Sequence, residues 1–301
     1  MHSHTSALHA AVLQFTSASA DAGILERDFT LGAIPGVLWT PQPFRPGTPL
    51  VLMGHGGGLH KRAPGLVARA RKAVTRNGMA VVAIDAPGHG ARPRSDEDQR
   101  WIDAMLAARA AGEPIAGIVA EFNASLAERA VPEWRAVIDA LLALPANDGQ
   151  GPGGEAAPFR EGTRIGYSGM TLASEIGIRL AATDERITAA VFGGVFASGG
   201  LLHAARQVRV PVEILLPWDD AELDRASGLA LFDAFASQDK TLHVFPGSHF
   251  TVPEERIDTR FFARHLSGSS GRGSSGHGSS GHGSSGHGES GHGESQQGTL
   301  G

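Results

Sequence analysis

The sequence predicts an α/β protein: a mostly parallel central sheet flanked by helices. Three observations predict it. Short apolar runs of strand length recur along residues 1–266, and longer amphipathic stretches separate them. Glycine and other turn residues close the runs. Parallel neighbours cannot be joined by a tight hairpin, so a helix between successive buried strands is the expected crossover.

The segment from about Arg27 to Trp39 alternates apolar and polar residues and is expected to supply antiparallel edge strands. Pro49–Gly54 is a buried strand. Pro64–Asn77 is a helix, with Leu66, Val67, Ala70, Ala73 and Val74 at helical spacing and Asn77-Gly78 as its stop. Met79–Ile84 is a valine-rich strand ending at Asp85. Trp134–Leu144 reads as an amphipathic helix ended by Pro145. Thr163–Tyr167 is a strand, Leu172–Ala182 a helix and Ile187–Phe192 a strand. Then come strand Val212–Leu216, helix Ala226–Phe235, strand Thr241–Phe245 and a final helix, Arg256–His265. Residues 95–130 are helical but have no strand to serve, and they are too long for an ordinary connection. They are expected to form a small cap-like insertion over one end of the sheet.

From Ser267 to Gly301 the chain changes character. The segment holds 13 of the 41 glycines, and a five-residue repeat, SSGHG drifting to ESGHG, spaces His277, His282, His287 and His292 evenly. It has too little apolar surface to offset backbone ordering, so residues 267–301 are expected to be a disordered tail beside a domain over 1–266. Its imidazoles are the one place for weak divalent-metal binding. No metal cluster or cofactor motif occurs in the body, so no cofactor is expected. The absence of cysteine excludes disulfides, thiolate metal sites and a cysteine nucleophile. The net charge of -5 gives no electrostatic case for a nucleic-acid partner. No run has the ~18 apolar residues of a membrane span. The N-terminus lacks the charged start of a signal peptide, so a cytoplasmic location is expected.

In an open parallel sheet, chemistry gathers at the carboxyl ends of the strands. Gly54-His55-Gly56-Gly57-Gly58 follows one strand, and consecutive glycines expose backbone N–H groups to a ligand. Gly166-Tyr167-Ser168-Gly169-Met170-Thr171 follows another, and a serine on a strand-to-helix turn would project its hydroxyl. Pro217-Trp218-Asp219-Asp220 and Pro246-Gly247-Ser248-His249 follow two more. A serine needs a base to act near neutral pH. Histidine can serve, and a carboxylate on its far nitrogen fixes the tautomer.

With glycine loop, serine, acid and histidine in that chain order, residues 25–266 resemble the serine α/β-hydrolases. They are most similar to the esterases related to dienelactone hydrolase, which share Val81-Val82-Ala83-Ile84-Asp85 followed by Ala86-Pro87-Gly88-His89-Gly90. True dienelactone hydrolases use cysteine, which this chain lacks, so the resemblance implies a serine esterase. It implies Ser168 as nucleophile and His249 as base. It favours Asp220 over Asp219 as acid, since Asp220-Ala221-Glu222-Leu223 fits the family's spacing. The N–H groups of Gly57 and Gly169 become the oxyanion donors. One departure stands out: in the family pattern G-x-S-x-G, Met170 occupies the place of the second glycine.

The activity implied is hydrolysis of a small carboxylic ester through an acyl-serine intermediate. Trp101 and Met105 of the insertion, and Trp218 beside the acid, are expected to touch substrate. His55 is expected to brace the glycine loop, His89 to shape a turn, and Lys61 to be a solvated charge. A peptidase or thioesterase would use the same machinery, and a hydrolase-fold binding protein would have lost it.

Overall fold

In the computed structural model, residues 11–144, 159–250, 252 and 260–267 are described. The repetitive tail and its histidines lie outside them, as does part of the expected final helix.

Among the described residues the sheet has nine strands: β1 (Leu13–Asp21), β2 (Ile24–Leu31), β3 (Ile34–Pro41), β4 (Leu50–Met53), β5 (Ala80–Ile84), β6 (Ile165–Met170), β7 (Ile187–Gly193), β8 (Val212–Pro217) and β9 (Lys240–Phe245). Their order is β1-β2-β3-β5-β4-β6-β7-β8-β9. The first three form an antiparallel meander, and β3 joins β5 antiparallel. From β5 to β9 all pairings are parallel. The edge expected over 27–39 is therefore a larger three-stranded unit. The chain direction of assembly reverses at β4, which lies between β5 and β6. Such a switch point leaves a crevice outside the carboxyl ends of β4 and β6.

The helices among the described residues are α1 (Pro64–Asn77), α2 (Asp96–Ala111), α3 (Ala116–Leu142), α4 (Leu172–Thr183), α5 (Gly199–Ala205), α6 (Arg225–Ala234) and α7 (Arg260–Leu266). Side chains alternate between the sheet's two faces, as period two demands. Leu50, Leu52, Val82, Ile84 and Tyr167 join a core that includes Ile138 of α3, Ile176 of α4 and Leu231 of α6. Val51, Met53, Val81 and Ala83 face the other way, towards Leu66 and Val74 of α1 and Phe261 and Phe262 of α7.

The insertion differs from expectation at its far end. Its second helix does not stop near residue 130; it runs on as α3 through Leu142, across Pro132. The helix expected at Trp134 is the end of this one. Ala127, Ala130, Trp134 and Val137 form a buried stripe along it. That continuous burial offsets the roughly 3 kcal/mol an interior proline costs. At the start of α2, Ser95 and Asp98 form a capping box, and Asp98 also accepts from Arg129 of α3. At its end, Arg109 pairs with Glu222 beyond β8 at 2.7 Å.

Candidate active site

The expected turn at Ser168 is the main correction. β6 runs to Met170, so Ser168 lies inside the strand, paired with Met53 and Val191. It shares a row with Gly166 and Met170, on the face packed by α7. The sharp turn falls three residues later. Thr171 precedes α4 with φ +54° and ψ −117°. For a β-branched residue this is a strained conformation, costing about 1–3 kcal/mol, and such residues cluster at functional sites.

The surroundings hold the turn in place. Thr171 N–H donates to Gly193 O at 2.9 Å, and Ser174 N–H donates to Thr171 O at 2.9 Å. The Ser174 hydroxyl lies 2.8 Å from both Gly169 O and Gly193 O, and accepts from Gly193 N–H at 2.8 Å. Gly169 lets α4 approach: a Cβ there would meet the Ala173 backbone at 2.6 Å. Gly169 is thus a packing residue in β6, and the N–H that follows the turn residue belongs to Leu172. Sequence reading missed Thr171, Leu172 and Ser174. The signal was present: Gly169-Met170-Thr171-Leu172-Ala173 has small residues at both flanks, whereas Met170 spoils the pattern centred on Ser168.

Asp220 and His249, expected as acid and base, lie in contact. His249 Nδ1 lies 2.7 Å from Asp220 Oδ2, and the two side chains are 4% and 2% exposed. The carboxylate only accepts, so Nδ1 carries a proton and donates it to Asp220. Asp220 Oδ2 also accepts from His249 N–H at 2.6 Å. Its Oδ1 accepts from Glu222 N–H at 2.8 Å and Leu223 N–H at 2.9 Å. Burial alone would raise this carboxyl, but the donated N–H groups hold it below the usual carboxylate range. Asp219 is exposed. Phe196 meets the His249 ring edge-on, at 6.0 Å between centroids, and Phe250 lies against it at 3.8 Å.

The glycine loop lies beside the turn. A Cβ on Gly56 would come within 2.8 Å of Thr171 Oγ1, so only glycine admits the hydroxyl there. His55 fixes the loop: its Nδ1 donates to Gly56 O at 2.9 Å and its Nε2 accepts from Ala86 N–H at 3.0 Å. Burial pushes its imidazole down to about 4, so it is neutral in this role. His89 donates from Nδ1 to Pro87 O at 2.9 Å, and burial lowers it too. Lys61 is not a free surface charge. Its Nζ pairs with Asp85 at 2.8 Å, and Asp85 also takes the Lys61 N–H at 2.8 Å. Burial alone would raise Asp85, but these bonds hold it below the usual range.

Thr171, Leu172, His249 and Gly57 line one cavity of about 270 Å³. A Cβ built on Gly194 would lie 3.0 Å from His249 Cβ and 3.5 Å from Thr171 Cγ2, so both residues border Gly194. Met105 lines the cavity, with Ile102, Ile115 and Phe122. Trp101 is not part of the lining and stacks on Phe122 at 6.3 Å. Trp218 is 40% exposed and carries the Arg225 guanidinium over its ring at 4.2 Å. A hydroxyl, an imidazole bound to a carboxylate, and nearby backbone N–H groups are the parts that nucleophilic acyl transfer needs. Among the described residues, no three His, Asp or Glu side chains group as metal ligands. None of the described helices is long and apolar enough to cross a membrane.

No family model matches the chain, and no curated protein matches it. Solved structures do. A cold-adapted esterase from an Arctic intertidal metagenomic library is 28% identical, with 84% of this chain and 99% of that one covered and a TM-score of 0.62. An acetyl xylan esterase from Paenibacillus sp. R4 shares the fold at 15% identity, covering 88% and 93%, with a TM-score of 0.58. The dienelactone hydrolase of Anabaena variabilis shares it at 18%, covering 84% and 99%, with a TM-score of 0.51. The strand order, the switch point at β4 and these likenesses make the chain a member of the α/β-hydrolase superfamily.

Proposed function

We propose that the protein hydrolyses carboxylic esters, with Thr171 rather than Ser168 as its nucleophile. The observation that carries this reading is the conformation of Thr171. It is strained at a strand-to-helix turn, its hydroxyl is set against the glycine loop, and it shares a cavity with His249. The likeness to the Arctic esterase supports the ester as substrate class.

His249 Nε2 takes the proton from Thr171 Oγ1 as that oxygen attacks the ester carbonyl carbon. The carbonyl oxygen becomes an oxyanion and accepts from the N–H groups of Gly57 and Leu172. Asp220 stabilises the imidazolium through Nδ1. The intermediate collapses, and the alcohol leaves with the proton from His249. Water, deprotonated by His249, then attacks the acyl-threonine ester. The carboxylic acid departs and the hydroxyl of Thr171 is restored. A cavity of about 270 Å³ is small beside the usual ~300–1,000 Å³ of ligand pockets and suits a short acyl chain.

The test is the hydrolysis of short p-nitrophenyl esters by three proteins. The native chain should be active. Thr171→Val keeps the branched shape without the hydroxyl and should lose at least about 10³-fold in kcat. Ser168→Ala should stay within roughly threefold of native, since that side chain faces the other side of the sheet. An inactive native protein, or a Ser168→Ala loss as large as that of Thr171→Val, would refute the reading.

A further inference from the structure

The wall of the cavity contributed by α3 is apolar except at one point. Val119, Phe122 and Leu126 line it, and Asn123 stands among them. Asn123 is 6% exposed. Its amide makes no hydrogen bond to any described residue, yet its atoms are not sealed from the cavity. An amide with no partner among the described residues is destabilising in an apolar wall, and asparagine forms helix less well than leucine. Neither the helix nor its packing calls for this side chain. A bound molecule that offers the amide a hydrogen-bonding atom supplies the missing partner.

We propose that Asn123 selects esters whose chain carries a neutral hydrogen-bonding oxygen, a keto or hydroxyl group, over esters of plain alkyl chains. The proposal rests on the ester-hydrolase reading and names its substrate class. The amide is uncharged and both donates and accepts, so it pairs with a neutral oxygen of either kind. Of the charged groups on the cavity wall, Arg109 and Glu222 are paired with each other and Arg94 is exposed to solvent. A site built to hydrogen-bond a substrate group discriminates against the analogue lacking it, because its own polar group is then left unpaired.

Ethyl valerate, ethyl 4-oxovalerate and 2-hydroxyethyl valerate are the probes. The second carries the oxygen on the acyl side and the third on the alcohol side. The kcat/KM of each oxygenated ester is divided by that of ethyl valerate, in the native protein and in Asn123→Leu and Asn123→Ala. For at least one oxygenated ester this ratio should fall on the order of 10-fold in both variants. Taking the ratio cancels general losses from altered packing. Ratios unchanged within about twofold for both esters would overturn the proposal.

A binding arm separates this from a failure of the catalytic reading. In Thr171→Ala, quenching of tryptophan fluorescence reports ester binding, since Trp101 stacks on Phe122 beside the cavity. Adding Asn123→Leu should weaken binding of the preferred oxygenated ester on the order of 10-fold and leave ethyl valerate unaffected or tighter. If the native protein turns over no ester but this binding difference holds, the hydrolase reading fails and the role of Asn123 stands. If turnover is normal and binding shows no difference, the role of Asn123 fails alone.

Discussion

Thr171 pairs a reactive group with a backbone conformation that its side chain disfavours. A branched residue at φ +54° persists only where its neighbours over-determine it. Here Ser174, Gly193 and Gly169 do so. The contact between Asp220 and His249 is different: it was legible in the chain order, because the last residues of parallel strands converge on one edge. Position after the strand alone left Asp219 and Asp220 both open, and the family resemblance favoured Asp220. The hydrogen bonds distinguish them, with three N–H groups and an imidazole on Asp220 and an exposed position for Asp219. Asp220→Asn should therefore lower kcat on the order of 10²–10⁴-fold, as loss of the tautomer-fixing carboxylate does elsewhere. Asp219→Asn should stay within about threefold. Steady-state hydrolysis by the two variants is the measurement.

Strands and helices were read more surely than their ends. α1 matches its sequence signals at both termini, since Pro64 opens it and Gly78, with φ +62°, closes it. β6 was cut short because Ser168-Gly169 looked like a turn signal, yet both residues are in the parallel ladder. The three-residue extension moved the turn from Ser168 to Thr171. The helix end expected at residue 130 and the start expected at Trp134 fall within one helix, which crosses Pro132 with burial that only the folded chain reveals. The loop between β4 and α1 has its own consequence. His55 is neutral in the native state above about pH 4, whereas an unfolded histidine titrates near 6.5. Between these values the unfolded chain binds more protons, so stability rises with pH. The contribution is full above about pH 6.5 and is lost as pH falls to about 4, up to roughly 3 kcal/mol. Urea midpoints measured across that window should drop on acidification, and the drop should be smaller in His55→Gln.

For the whole molecule, alternation of apolar runs and helical patterns was enough to give the α/β class and the insertion ahead of the strand that bears the site. The β4 switch point was not legible, because strand order depends on long-range pairing that no local pattern encodes. That order brings the carboxyl end of β4 beside that of β6, and with it the glycine loop beside Thr171. The proposed acyl transfer thus turns on one atom, Thr171 Oγ1. Its most direct measurement is acid quench of the intact protein during turnover of a p-nitrophenyl ester, followed by peptide mass mapping of the trapped acyl group. The predicted result is an acyl group on Thr171, absent in Thr171→Val. An acyl group on Ser168, or turnover by Thr171→Val at the native rate, would contradict it.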